Sequence, residues 1–124
     1  QQCSLLVTYT CDVMPSEAEA AAIKAWLEGG GRWLALHGTN AILRFLDNGL
    51  VDAPDERPDV MALLGTQFVA HPPIGPYTVN VKQPDHPLVK GESDFEVVGE
   101  LYLSRTTAET DTILSTTFAG EATG

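Results

Sequence analysis

Basic side chains are scarce in this chain: 7 Lys and Arg stand against 17 Asp and Glu, giving a formal net charge of −10. No Lys/Arg cluster exists to neutralise a phosphate backbone, which argues against nucleic acid as a partner. The same charge balance disfavours an anionic membrane surface, and no apolar run reaches the length of a membrane-spanning helix. Cysteine is rare too. Cys3 and Cys11 are the only two, and they bracket a segment that reads as a strand, which would hold them too far apart for a disulfide. Neither lies in a metal-like or redox-like spacing, so two reduced thiols in a cytoplasmic protein are expected. There is no Gly-x-Gly-x-x-Gly and no P-loop. Gly29-Gly30-Gly31 precedes a strand instead of following one, so it reads as a helix stop and not as a phosphate cradle.

What is present reads as an ordinary globular domain, with 124 residues of which 44% are hydrophobic. Residues 4–10 (SLLVTYT) form a short strand rich in β-branched and aromatic side chains. Ser16 with Glu19 three residues on gives a capping box, and the spacing of Ala20, Ile23, Trp26 and Leu27 predicts a helix to about Glu28 with Gly29 as its cap. Residues 32–36 read as a strand buried on both faces, and the order strand, helix, strand predicts a right-handed βαβ unit. A second helix is expected over residues 39–46 and a short one over 58–64, ended by Gly65, with a polar loop between them. Further strands are expected at residues 77–82, within 95–103 and at 112–117.

The candidate chemistry gathers at the turn after residue 36. Ala35 lies two residues before His37, Gly38 directly after it and Thr39 two after, the small-residue setting that a tight strand-to-helix elbow requires. Where a hydrolase elbow carries Ser and an amidotransferase elbow Cys, this chain carries His37. That leaves acid/base, electrostatic or metal-ligand chemistry, or a histidine that merely hydrogen-bonds at a strand end. In a parallel sheet Thr10 and Asp12 would share that rim with Gly38, Thr39 and Asn40, and all five are candidate substrate-binding residues. His71 precedes Pro72-Pro73, and His86 stands between Asp85 and Pro87. A following proline restricts the backbone, and imidazole titrates near neutrality, so both join His37 as candidate catalytic groups. The fourth is Glu100, set among apolar neighbours, with Tyr102 expected on the same strand face as a further substrate contact. Zinc could accept the three imidazoles with Glu100, but no pair has short ligand spacing, and no metal site is expected.

These motifs, in order, resemble the trehalose-utilisation (ThuA-like) family: Gly29 to Gly31, Leu36 to Gly38, Leu64 to Pro72, Asp85 to Gly91 and Glu100 to Tyr102. The resemblance spans nearly the whole chain. It implies an α/β fold similar to class I glutamine amidotransferases, a flavodoxin-like three-layer sheet with helices on both faces. It also implies that the chain is the middle of a single domain, lacking an earlier strand and helix and a later Gly-His motif. The implied role is carbohydrate utilisation with a small-molecule sugar as partner. Two readings stay open: an enzyme acting through His37, His71, His86 and Glu100, or a binding domain without chemistry. Where the family pattern has Asp-Glu-Leu-Tyr this chain has Gly99 before Glu100, which removes one carboxylate from any paired-acid mechanism. Cysteine-dependent glutamine amidotransfer is not expected, because neither thiol lies at the elbow in sequence.

Overall fold

Both ends of the first helix are fixed by contacts within a few residues of sequence. In a computed structural model that describes residues 3–118 and the backbone of residues 121–123, α1 spans Glu17–Glu28. The Ser16 hydroxyl accepts from the Glu19 amide at 3.3 Å, and the Glu19 carboxylate accepts from the Ser16 amide at 2.8 Å. This is the predicted capping box, and such a cap contributes about 1 kcal/mol. At the other end Gly30 adopts φ +93°, its amide donates to the Leu27 carbonyl at 2.9 Å, and the Gly31 amide donates to the Trp26 carbonyl at 3.0 Å. These two bonds make a Schellman motif, and they satisfy carbonyls that the helix end would leave open. A Cβ on Gly31 would fall 2.3 Å from the Trp26 indole, so Trp26 closes over a position that only glycine can fill. The indole N–H in turn donates to the Cys3 carbonyl at 2.9 Å.

The helix joins β1 (Leu5–Tyr9) to β2 (Arg32–Leu36). The two strands are parallel, with Leu5 opposite Arg32, Val7 opposite Leu34 and Tyr9 opposite Leu36. The βαβ order read from the sequence is therefore present. The layers expected around it are not. The β1–β2 sheet has two strands, and the other registered strand pairings among the described residues are antiparallel, in small separate sheets. One face of β1–β2 carries Leu5, Val7, Tyr9, Leu34 and Leu36, all at least 40% exposed. The flavodoxin-like three-layer sheet is thus overturned, since among the described residues no helix covers that face and the only α-helices are α1 and α2 (Pro58–Leu64).

The helix expected over residues 39–46 is also absent. A 3-10 turn at His37–Asn40 gives way to extended backbone at Ala41 and then to β3 (Arg44–Phe45). The reason is non-local: the Asp12 carboxylate accepts the Leu43 amide at 2.8 Å, and the Asp12 amide donates to the Ala41 carbonyl at 3.1 Å. Those backbone groups are committed sideways and are unavailable for a helical ladder. β3 turns through Asn48-Gly49, with Gly49 at φ +79°, into β4 (Val51–Asp52). The hairpin thus begins in the segment read as a helix and ends in the one read as a polar loop.

The chain divides into two compact units, the first running to Val69 and including Arg105–Ala108. Its core is Ala20, Ala41, Ile42, Val60, Met61 and Phe68. α2 ends, as read from the sequence, at Gly65 in the left-handed region, φ +79°, with the Gly65 amide donating to Met61. After it comes β5 (Thr66–Ala70), which pairs with β8 (Leu103–Thr106). Both polar atoms of the buried Gln67 are bonded: its amide donates to the Pro54 carbonyl at 3.1 Å, and its oxygen accepts from Arg105 at 2.6 Å. Arg105 also meets Asp55 at 2.8 Å. The Thr107 hydroxyl donates to the Met61 carbonyl at 2.6 Å.

The second unit is Ala70–Ser104 with the chain from Glu109 on. Its sheet has the order β10–β9–β6–β7, built from β6 (Gly75–Val81), β7 (Phe95–Gly99), β9 (Leu114–Phe118) and β10 (Glu121–Thr123). Asp94 anchors the β6–β7 pair. Its carboxylate accepts from the Val81 amide at 2.8 Å and from Asn80 at 3.0 Å, and these bonds lower its pKa, the Val81 amide having the larger effect. On the other side of β6, the buried Thr116 donates its hydroxyl to the Thr78 carbonyl at 2.6 Å. Among the described residues no helix is long and apolar enough to cross a membrane.

Candidate functional site

The carboxyl ends of β1 and β2 lie side by side, because the two strands are parallel and in register. Two residues there hold the left-handed conformation that side chains resist: Asp12 at φ +57° and His37 at φ +55°. They are the only such non-glycine residues described. Each position costs about 1–2 kcal/mol relative to ordinary backbone, and strain of this kind concentrates at functional sites.

Each strained residue is held by its neighbours. Asp12 bonds on both sides to residues 41–43, as described above, so one of its carboxylate oxygens is structural and not free for a ligand. The His37 ring stacks on Tyr9, with centroids 4.9 Å apart and planes 20° apart. Both rings are exposed, Tyr9 at 72%. Gly38 is buried, and a Cβ placed on it would lie 2.9 Å from the Cys11 sulfur. The small-residue requirement at the elbow therefore has a physical source, which is the close approach of the β1–α1 loop. Cys11, remote from the elbow in sequence, is adjacent to it in space. Both cysteines are free thiols.

Thr10 and Thr39 sit behind this rim, joined hydroxyl to hydroxyl at 3.0 Å. Asn40 donates to the Thr66 hydroxyl at 3.0 Å, and its buried side-chain oxygen finds no partner among the described residues. From the sequence Tyr9 falls on the same rim but reads as an ordinary strand-end residue, and its stack on His37 corrects that. Sequence reasoning missed Thr8 and Trp33, which needed the register with β2.

The other candidates belong to the second unit. His71 is exposed; its Nδ1–H donates to the Pro72 carbonyl at 2.9 Å, and its ring stacks on Tyr102 at 6.3 Å. That bond places the proton on Nδ1 and leaves Nε2 as the acceptor of the neutral ring. His86 has the opposite form. Its Nδ1 accepts from the Leu88 amide at 3.3 Å, which leaves the proton of the neutral ring on Nε2. The partner of that nitrogen is Leu88 and not the adjacent Asp85. Glu100 is exposed, and it lies beyond the end of β7, in the link to β8. Glu100 and Tyr102 thus do not share a strand face, because the period-two rule needs continuous strand. Among the described residues no group of three or more His, Cys, Asp or Glu is placed to hold a metal ion.

No protein-family model matches the chain, and a search of curated proteins finds no match. A crystal structure of a protein from Bacteroides uniformis, described as ThuA-like, is similar, with a TM-score of 0.66 and 20% sequence identity. The likeness is one of fold. It covers 92% of this chain and 46% of the other, so the chain spans about half the length of that protein.

Proposed function

We propose that this chain is a ThuA-like domain of carbohydrate utilisation that holds a sugar or sugar derivative at the carboxyl ends of β1 and β2. The observation that carries the reading is the pair of strained residues, Asp12 and His37, at the ends of neighbouring parallel strands. The fold likeness to the Bacteroides uniformis protein supports the family assignment. The exposed Tyr9–His37 stack offers an aromatic surface beside an imidazole, a side chain that can serve as general acid or base. A sugar hydroxyl seated there is within the reach of general acid/base chemistry. In the second unit, taken by itself, His71, His86 and Glu100 stay catalytic candidates. The strongly acidic composition fits a neutral small-molecule partner and neither nucleic acid nor membrane.

The test is a calorimetric and activity screen of the full-length protein against neutral and oxidised sugars, with and without divalent metal ions. A sugar that binds or turns over, and that is lost in His37→Ala while the thermal midpoint holds, supports the proposal. Undiminished binding by His37→Ala refutes it.

A further inference from the structure

A cavity of about 530 Å³ lies between α1 and the inner face of the β1–β2 sheet. Its walls are largely apolar, formed by Leu6, Val13, Met14, Ile23 and Val60. The size and the apolar lining with a few convergent polar groups are those of a small-molecule site. The polar groups are the hydroxyls of Thr8, Thr10 and Thr39, with the Trp33 indole beside them.

The hydroxyl protons can be assigned one by one. The Thr39 hydroxyl donates to the Leu36 carbonyl at 2.8 Å, because a carbonyl can only accept. Its single proton is then used. The contacts of Thr39 with Thr8 at 3.1 Å and with Thr10 at 3.0 Å must therefore be donated by Thr8 and Thr10. The Trp33 N–H donates to Thr8 at 2.9 Å, filling one of its lone pairs. All three protons and the indole proton are thus committed inside the cluster. Among these side chains what remains for a ligand is lone pairs, one on Thr8 and two on Thr10. The remaining polar side chain on the lining is Glu19, whose carboxylate also accepts.

We propose that this cavity is a binding site for a compact neutral molecule with an apolar body and one hydroxyl donor, of the alcohol or phenol class. A ligand that can only accept meets lone pairs facing lone pairs. An anionic ligand is additionally repelled by Glu19. The proposal does not depend on the sugar reading, since the cavity lies under the helix and does not include His37 or Tyr9.

The experiment compares donor and acceptor probes of matched shape, phenol against anisole and cyclohexanol against cyclohexanone, titrated into the ¹⁵N-labelled protein. Phenol and cyclohexanol are expected to shift the Trp33 indole N–H and the amides of Leu6, Thr8 and Thr39. Each should bind about tenfold more tightly than its acceptor partner, the equivalent of one hydrogen bond of about 1.4 kcal/mol. Thr10→Val should narrow that ratio while Thr10→Ser preserves it, with circular dichroism confirming that both are folded. Equal affinity within the pairs, shifts confined to other residues, or no binding by any probe would overturn the proposal. The wild-type comparison decides the matter even if Thr10→Val does not fold.

Discussion

A methyl group on Gly38 would sit 2.9 Å from the Cys11 sulfur and 3.2 Å from the Cys11 Cα. The elbow and the loop after β1 are thus pressed together at one point, and Gly38→Ala must force them apart. Overpacking of this kind costs about 1–3 kcal/mol, and a lower urea midpoint is the expected reading. Cys11→Ala in the same chain should recover only part of the loss, because the backbone contact remains. Full recovery would show that the sulfur alone sets the limit.

His37 separates stability from function by its backbone angle. At φ +55° glycine is relaxed where histidine is strained. His37→Gly is expected to hold or raise stability, by about 1 kcal/mol at most, while abolishing the proposed sugar binding. His37→Val, β-branched at a positive φ, should lower stability. Paired denaturation and binding measurements on the two variants check this. A His37→Gly protein that is less stable than the parent would contradict the strain argument.

Acid should weaken the fold through two carboxylates. The Arg57 guanidinium grips both oxygens of Asp59, at 2.9 and 2.7 Å, and holds its pKa at about 2. Asp94 is lowered by the Val81 amide and then by Asn80. For a carboxyl whose folded pKa is depressed, the stabilisation is complete above the unfolded value, about 3.9 for Asp. It is lost as pH falls through the folded one. The thermal midpoint should therefore fall between about pH 4 and pH 2. Asp59→Asn and Asp94→Asn should each make that acid limb shallower, and an unchanged limb in both would rule these groups out. Both are exposed, so the effect should shrink in high salt.

The uncovered face of the β1–β2 sheet predicts self-association. Leu5, Val7, Tyr9, Leu34 and Leu36 form an apolar patch beside a β1 edge that no described strand pairs, and such edges template further pairing. Val7→Glu, on a residue 53% exposed, is expected to reduce concentration-dependent light scattering. It should leave the denaturation midpoint within about 0.5 kcal/mol of the parent. Scattering that is the same for both proteins would mean the face is not adhesive.

How far each element was legible in the sequence follows the distance over which its determinants act. The Ser16–Glu19 box, the glycine stop after Glu28, Gly65 and the parallel β1–β2 pair are set by residues close in sequence or by plain apolar patterning, and all were readable. The failed helix after His37 is governed by Asp12, roughly thirty residues away in sequence, which no local pattern reports. The β3–β4 hairpin did carry a local signal, Asn48-Gly49, obscured by the acids and prolines around it. At the site, the elbow could be read because the small residues around His37 follow one another in sequence, although the contact that requires Gly38 comes from the distant Cys11. The threonine chain of Thr8, Thr10 and Thr39 could not, since it exists only once two strands and a turn share a register.

The doubly pinned α1 also bears on how the chain folds. Strands joined by a long crossover pay loop-closure entropy before pairing rewards it. A preformed helix removes its 12 residues from the flexible crossover, so that closure involves only the short linkers on either side. Its start and stop signals act within a few residues, on the microsecond scale of helix formation, and are available before β1 meets β2. Disabling the box at Ser16 should therefore slow the joining of two strands with which its side chain makes no hydrogen bond.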